Sequence, residues 1–447
     1  MAKYQKYAEC KDSGVEWLGE IPSHWEMWKL SHAYNEIGSG TTPSTSNEEN
    51  FEGDIPWVTT GELRENIILD TKKKVSQKTI ELFPTLRKYP SGSVAIAMYG
   101  ATIGRLGILG VEATTNQACC VMTTSKVLDN KYLFYWLQAF KNEIIQLSSG
   151  GGQPNINQEK VASLKISAPL VEDQVTIVNF LDHETAKIDS LISKQEKLIE
   201  LLKEKRQAVI SHAVTKGLDP NVPMKDSGVE WLGQVPEHWM VSRLKYIKSK
   251  ESNAFVDGPF GSNLKSEHFI ENGDVYVIES NFATTGYLDP QMLKTISFSH
   301  FATIERSECR ENDIIIAKIG ARYGSSAILP KLEKRAVVSG NSLKLTVDTT
   351  NCDINYALNL LRHLKNEGAM DDGVNGSAQP ALSLGGLNNI GFLTPPIEEQ
   401  KEITKFIYNK LLSFNGLIEK AAFAIQLMQE RRTALISAAV TGKIDVR

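Results

Sequence analysis

The chain is predicted to be an α/β (α+β) protein, in which two strand-rich domains are separated by two long antiparallel coiled-coil helices in an internal pseudo-two-fold repeat. Three observations lead there. Residues 11–25 (KDSGVEWLGEIPSHW) and 225–239 (KDSGVEWLGQVPEHW) are nearly one sequence at an offset of 214, and repetition on this scale means one structural unit used twice. Residues 173–215, free of Pro and Gly, and their counterpart 226 positions on place apolar side chains at alternating spacings of three and four, as amphipathic helices do. The remaining segments alternate short apolar runs with turn-rich stretches, which reads as strands and loops.

The repeat continues beyond its opening, and its offset drifts. Gly100 and Gly104 answer to Gly320 and Gly324 at 220, while Gln153-Pro154 answers to Gln379-Pro380, and residues 206–215 to 432–441, both at 226. Each half therefore has matching ends around a variable middle.

In chain order, residues 1–171 hold the first repeat segment and a first domain. Strands are expected at 55–59, 94–99 and 117–122, a turn-rich loop at 38–43, and a helix at 130–147. A central long helix follows over 172–216, with a seam of Ile177, Leu181, Ile188, Leu191, Leu198, Leu202 and Val209 and a highly charged flank suited to a solvated coiled coil. Residues 217–397 repeat the domain, with strands at 275–278, 314–317 and 343–347, a loop at 257–262 and a helix at 355–365. The last segment, 398–447, carries the second seam, Ile403, Ile407, Phe414, Leu417, Ala424, Met428 and Leu435. One apolar stripe in water needs a partner. The end of the first helix enters the second domain and the second helix leaves it, and entry and exit of a domain lie near each other, so the pair runs antiparallel.

Composition narrows the class. With 41% hydrophobic and 23% charged residues among 447, and no apolar stretch or leader of the usual kind, a soluble cytoplasmic protein without a membrane span is expected. Cys10, Cys119, Cys120, Cys309 and Cys352 lack CxxC spacing, which speaks against a zinc site or a disulfide framework. A net charge of −4 and a pI near 6.1 argue mildly against nucleic-acid binding. Local patches can outweigh that average.

The usual catalytic constellations are missing. Residues 100–107 (GATIGRLG) lack the Lys-Ser/Thr of a phosphate loop and read as a tight turn that lets backbone approach another surface. The histidines form no HExxH pair, Asp70-Thr71-Lys72 is an isolated DxK triplet, and no methyl-transfer motif or acidic metal triad occurs. What recurs is a set of polar loops. Thr59-Thr60 is set against Ser280-Asn281, Asn116-Gln117 against Asn341-Ser342, and Gln153 with Asn155 against Gln379; Thr41, Thr42, Ser262 and Asn263 lie in the turn-rich loops. Such side chains contact base edges and phosphates without bearing charge. Lys73, Arg105 and Arg322 supply cations, with Tyr323 beside the last. For any single Asn, Ser or Thr, a turn role is the better explanation; the paired recurrence speaks for the set. Trp17, Trp25, Trp231 and Trp239 stand in segments too alike to read two different things, so they are expected to anchor structure.

On these residues the chain resembles the specificity subunit of type I restriction-modification systems. The resemblance rests on the duplicated SGVEWLGxxPxHW opening, the strand Asp54-Ile55-Pro56-Trp57-Val58-Thr59, the SGGGQPNIN turn at 149–157 and Pro395-Pro396-Ile397-Glu398-Glu399-Gln400 at a helix entry, and covers essentially the whole chain. The first helix entry departs from the pattern, reading Ala168-Pro169-Leu170-Val171-Glu172-Asp173-Gln174 where the family has Pro-Pro-Leu-x-Glu-Gln. The resemblance implies a non-catalytic subunit whose domains each read one half of a bipartite asymmetric site in double-stranded DNA, with helices that set the spacer and dock partners. Those partners would be two modification (methyltransferase) subunits and the restriction (translocase-nuclease) subunits. S-adenosylmethionine, ATP and magnesium are then expected on the partners, and no cofactor on this chain. The alternative from another class is a non-catalytic two-headed scaffold recognising protein or glycan partners.

Overall fold

The computed structural model describes residues 4–147, 155–371, 374–375 and 380–447. It divides into two units, one of residues 1–197 with 421–447 and the other of residues 198–420. Each contains a globular head and parts of both long helices.

The head of unit 1 is built on a five-stranded sheet in the order Ile37–Ser39, Cys119–Met122, Val94–Ala97, Leu106–Leu109, Asn66–Ile68. The Val94–Ala97, Leu106–Leu109 and Cys119–Met122 strands are buried throughout, which is why they read as unbroken apolar runs. Beside it stands a three-stranded sheet of Thr114–Thr115, Ile55–Val58 and Lys74–Val75. In unit 2 the matching sheets are Phe255–Asp257, Ser342–Leu345, Ile314–Ala317, Ser326–Ile328, and Lys294–Ile296, Val275–Ile278, Arg335–Val338, Glu308–Cys309. Each unit holds a matching parallel pair: Val58 is in register with Thr115, and Ile278 with Val338.

The expected helix over 130–147 is two helices, Asn130–Ala139 and Lys141–Gln146, with Phe140 between them at φ −110° and ψ 22°. The Phe140 ring is buried 4.4 Å from Trp136, so side-chain packing overrides local propensity. Its counterpart in unit 2, Ile354–Asn366, is continuous.

The long helices span Val171–Lys216 and Ile397–Val440. Each entry is locked by a fully buried glutamine. Gln174 Oε1 accepts the Asp129 N–H at 2.7 Å and its amide donates to the Val127 and Pro169 carbonyls; Gln400 does the same with Asp353, Asn351 and Pro395. Glycines close the other ends, Gly217 at φ +77° and Gly442 at φ +70°, a conformation that favours Gly after a helix. The antiparallel arrangement appears within each unit. In unit 1 Asp189 meets Arg432 at 2.9 Å and Asp173 meets Arg447 at 3.7 Å; in unit 2 Arg206 meets Asn415 at 3.0 Å while Glu399 lies beside Gly217.

The seams are buried only where they meet the heads. Ile177, Leu181, Ile188, Ile403, Ile407 and Leu435 are buried, whereas Leu191, Leu198 and Leu417 are each about half exposed, at 49%, 43% and 46%. Two helices alone cannot cover the flanks of both stripes. Trp25 and Trp239 are fully buried, each against the glycine that ends a long helix, Gly442 and Gly217 respectively. That is the anchoring role expected of them.

Candidate nucleic-acid interface

The polar loops of unit 1 are gathered by backbone hydrogen bonds at the ends of the parallel pair. Asn116 donates its N–H to Val58 O at 2.9 Å, and Thr41 donates to Thr115 O at 3.0 Å. A Cβ on Gly40 would fall 1.7 Å from that same Thr115 oxygen, so only glycine permits the approach. Thr41-Thr42, Thr59-Thr60 and Asn116-Gln117 thereby become neighbours. Their side chains are partly engaged: Thr41 with Thr85 at 2.8 Å, Thr59 with Glu62 at 2.9 Å, and Thr42 donating to Gln117 Oε1. Asn116 Oδ1 accepts the Ala118 N–H at 3.2 Å, the self-contained turn that its residue type favours.

Unit 2 repeats this frame with other side chains. Ser339 donates its N–H to Ile278 O at 2.9 Å, and a Cβ on Gly258 would fall 1.9 Å from Ser339 O. In both heads the next turn closes alike. Cys119 N–H bonds to Asn116 O at 3.2 Å and Ser342 N–H to Ser339 O at 2.9 Å; Met98 N–H bonds to Ala118 O and Lys318 N–H to Asn341 O, each at 2.8 Å.

These bonds correct the expected pairing. Asn116-Gln117 corresponds to Ser339-Gly340, two positions before the expected Asn341-Ser342, and Thr59-Thr60 to Glu279-Ser280, one before Ser280-Asn281. Unequal loop lengths in the variable middle hide this from the sequence. Ser342 must also be withdrawn as a loop residue: it begins a strand, is fully buried, and its hydroxyl lies 3.3 Å from that of Ser339. Asn341, Asn281, Ser262 and Asn263 are exposed and Ser280 is half-buried.

The two glycine-rich segments are hairpin turns, as expected. Gly104 is at φ +74° against Ile145, and Gly324 at φ +78° against Met370 and Lys365. Arg105 and Arg322 follow the strands there, half-buried and exposed respectively. Tyr323 is a fixture rather than a free contact. Its hydroxyl donates to Asp371 at 2.5 Å, which raises its pKa, and Lys365 Nζ sits 3.4 Å from its ring centre. Lys73 Nζ lies 4.5 Å from the Phe51 ring. Asp70 pairs with Lys74, outside the DxK triplet, at 2.9 Å, which holds its carboxyl below the usual range. Asn155 is exposed and pairs by a bridge with Tyr99. Gln153 and Gln379 lie outside the described residues.

Sequence reasoning missed two features of the unit 2 site. Asp257, buried at the base of the 258–263 loop, holds Lys318 at 3.0 Å and Arg306 at 3.3 Å. Phe260, on that loop, is 68% exposed. The sequence marks the segment as a turn-rich loop with Ser262 and Asn263 as its polar contacts, because its Gly and Pro residues dominate the local signal. Among the described residues no group of three or more His, Cys, Asp or Glu could hold a metal ion, and no helix is long and apolar enough to cross a membrane.

The comparisons with known proteins agree with this duplicated frame. The type I restriction modification DNA specificity domain matches twice, over residues 22–201 and 236–420. The MjaVIII type I restriction enzyme specificity subunit of Methanocaldococcus jannaschii is 23% identical over 430 residues, covering 96% of this chain and 94% of its own. A chain solved in work on complex assembly and conformational transition of the type I R-M system aligns with a TM-score of 0.68 at 15% identity, over 95% of this chain and 99% of that one. The HsdS subunit from Thermoanaerobacter tengcongensis aligns with a TM-score of 0.57 at 14% identity, over 95% and 98%. With two matches spread over most of its length and its polar loops on one repeated frame, the chain belongs to the type I restriction-modification DNA specificity family.

Proposed function

We propose that each head reads one half of a bipartite, asymmetric site in double-stranded DNA, as the cytoplasmic specificity subunit of a type I restriction-modification complex. The observation that carries this is one backbone frame bearing two sets of side chains. Thr42, Asn116 and Gln117 in unit 1 stand where unit 2 has Phe260, Ser339 and Gly340. An unchanged frame with changed side chains suits two half-sites of different sequence.

The chain is a recognition subunit without chemistry of its own. Two methyltransferase subunits and the translocase-nuclease subunits are its partners, and S-adenosylmethionine, ATP and magnesium belong to them. The long helices set the spacer between half-sites, and their half-exposed seam residues, Leu191, Leu198 and Leu417, offer apolar surface for the methyltransferases.

The test is binding of the purified chain to duplex DNA across a salt series. Affinity should fall steeply and linearly on a log–log scale as salt rises, with no cleavage or methylation until partner subunits are added. Salt-insensitive or absent DNA binding would favour a scaffold for protein or glycan ligands.

A further inference from the structure

Phe260 sits on a loop whose geometry is held from several sides. Gly258 and Gly340 admit no Cβ, which would lie 1.9 Å from Ser339 O and 2.6 Å from Pro259 O respectively. Asn263 closes the turn by donating its N–H to Phe260 O at 2.7 Å, and His300 Nε2 lies 2.9 Å from Asn263 O. At the loop's root the Asp257 carboxylate binds Lys318 and Arg306, and its carbonyl accepts the Ser307 hydroxyl at 3.1 Å. A rigid loop thus presents a large apolar ring to solvent, with Lys318 Nζ 5.8 Å from its centre.

A stray exposed apolar side chain needs no explanation. This one stands on the loop whose Pro259 carbonyl meets Gly340, and its counterpart differs in kind. Counting from the matching glycines Gly40 and Gly258, Thr42 occupies the place of Phe260, and it bonds to Gln117. Unit 1 presents a hydrogen-bonding pair where unit 2 presents an aromatic face.

We propose that Phe260 is a specificity-determining residue that presses its ring against a base step of the half-site read by unit 2, partly unstacking it, and that the other half-site has no such contact. Apolar wedges of this kind act where a step unstacks easily, so the step should be pyrimidine–purine. The proposal rests on the reading of unit 2 as a half-site reader.

The experiment uses the assembled methyltransferase complex and a duplex carrying its methylated motif, with 2-aminopurine placed in turn at positions of each half-site other than the methylated base. Emission should rise several-fold at one step of the unit 2 half-site and nowhere in the other. Phe260→Ala should abolish that rise and weaken binding roughly 5- to 150-fold, while Phe260→Trp keeps both. A Phe260→Ala complex with wild-type emission and affinity overturns the proposal. So does weaker binding with no emission change in the wild type, or a Phe260→Ala chain that fails to assemble with its partners in the absence of DNA. A wild-type complex that does not prefer its motif to random duplex would instead sink the half-site reading itself. The thermal melt of the variant serves as the folding control.

Discussion

Trp239 donates its indole N–H to Glu399 Oε1 at 3.0 Å, whereas the corresponding indole of unit 1, Trp25, is buried with no partner among the described residues. The difference follows from one methylene. Position 399 matches Asp173, one of the residues at which the first helix entry departs from the second, and Asp173 faces Arg447 instead. Glu399→Ala should therefore destabilise the protein by about 1–3 kcal/mol, the usual cost of an orphaned buried donor. Asp173→Glu should stabilise it by about 1 kcal/mol. Denaturant midpoints decide: no change in either variant would mean that the indole bond contributes nothing.

Replacing Asn341, whose side chain is exposed in the unit 2 loop cluster, should relax discrimination at one position of one half-site. Asn341→Ala is expected to cost about 1–3 kcal/mol against the preferred base. Competition binding with single-substitution duplexes measures it. An equal loss on every sequence would assign Asn341 to phosphate contact or folding.

Thiol reactivity provides an independent check of the heads. Burial raises the pKa of Cys119 and Cys309 and pushes Cys120 and Cys352 up to about 12, while Cys10 is exposed. Since the thiolate is the reactive form, the native chain should titrate one fast thiol near neutral pH, lost in Cys10→Ser. Several fast thiols would contradict the packing of the strands that carry the others.

Much of this architecture was legible because it depends on repetition and period. The buried strands at 275–278 and 314–317 appear as expected, and so do both long helices. The break at Phe140 was not legible, since aromatic packing across the core, not local propensity, sets it. The site was legible only as a set of loops. Which residues share a place was obscured, because Ser339 and Asn116 match through backbone bonds while the loops before them differ in length. Phe260 was overlooked inside a turn motif, and the buried Asp257 that holds its loop gives no local signal at all.

Lengthening the helices tests their part in the spacing. The Asp189–Arg432 pair puts Glu196 level with Ile425, so four residues inserted after Glu196 and after Ala424 keep the antiparallel register. The added rise of about 6 Å is close to two base pairs at roughly 3.4 Å each. The methylated motif of the insertion variant should gain one or two spacer base pairs with both half-sites unchanged. An unchanged spacer at full activity would remove the helices from that role.

The central claim is that two readers act independently on one frame, and the methylome of a host carrying an exchanged head tests it most directly. Residues 26–148 would be replaced by the matching segment of a relative with a different motif. One half of the methylated motif should then change while the other half stays as it was. If both halves change together, or neither does, the two-reader account is wrong.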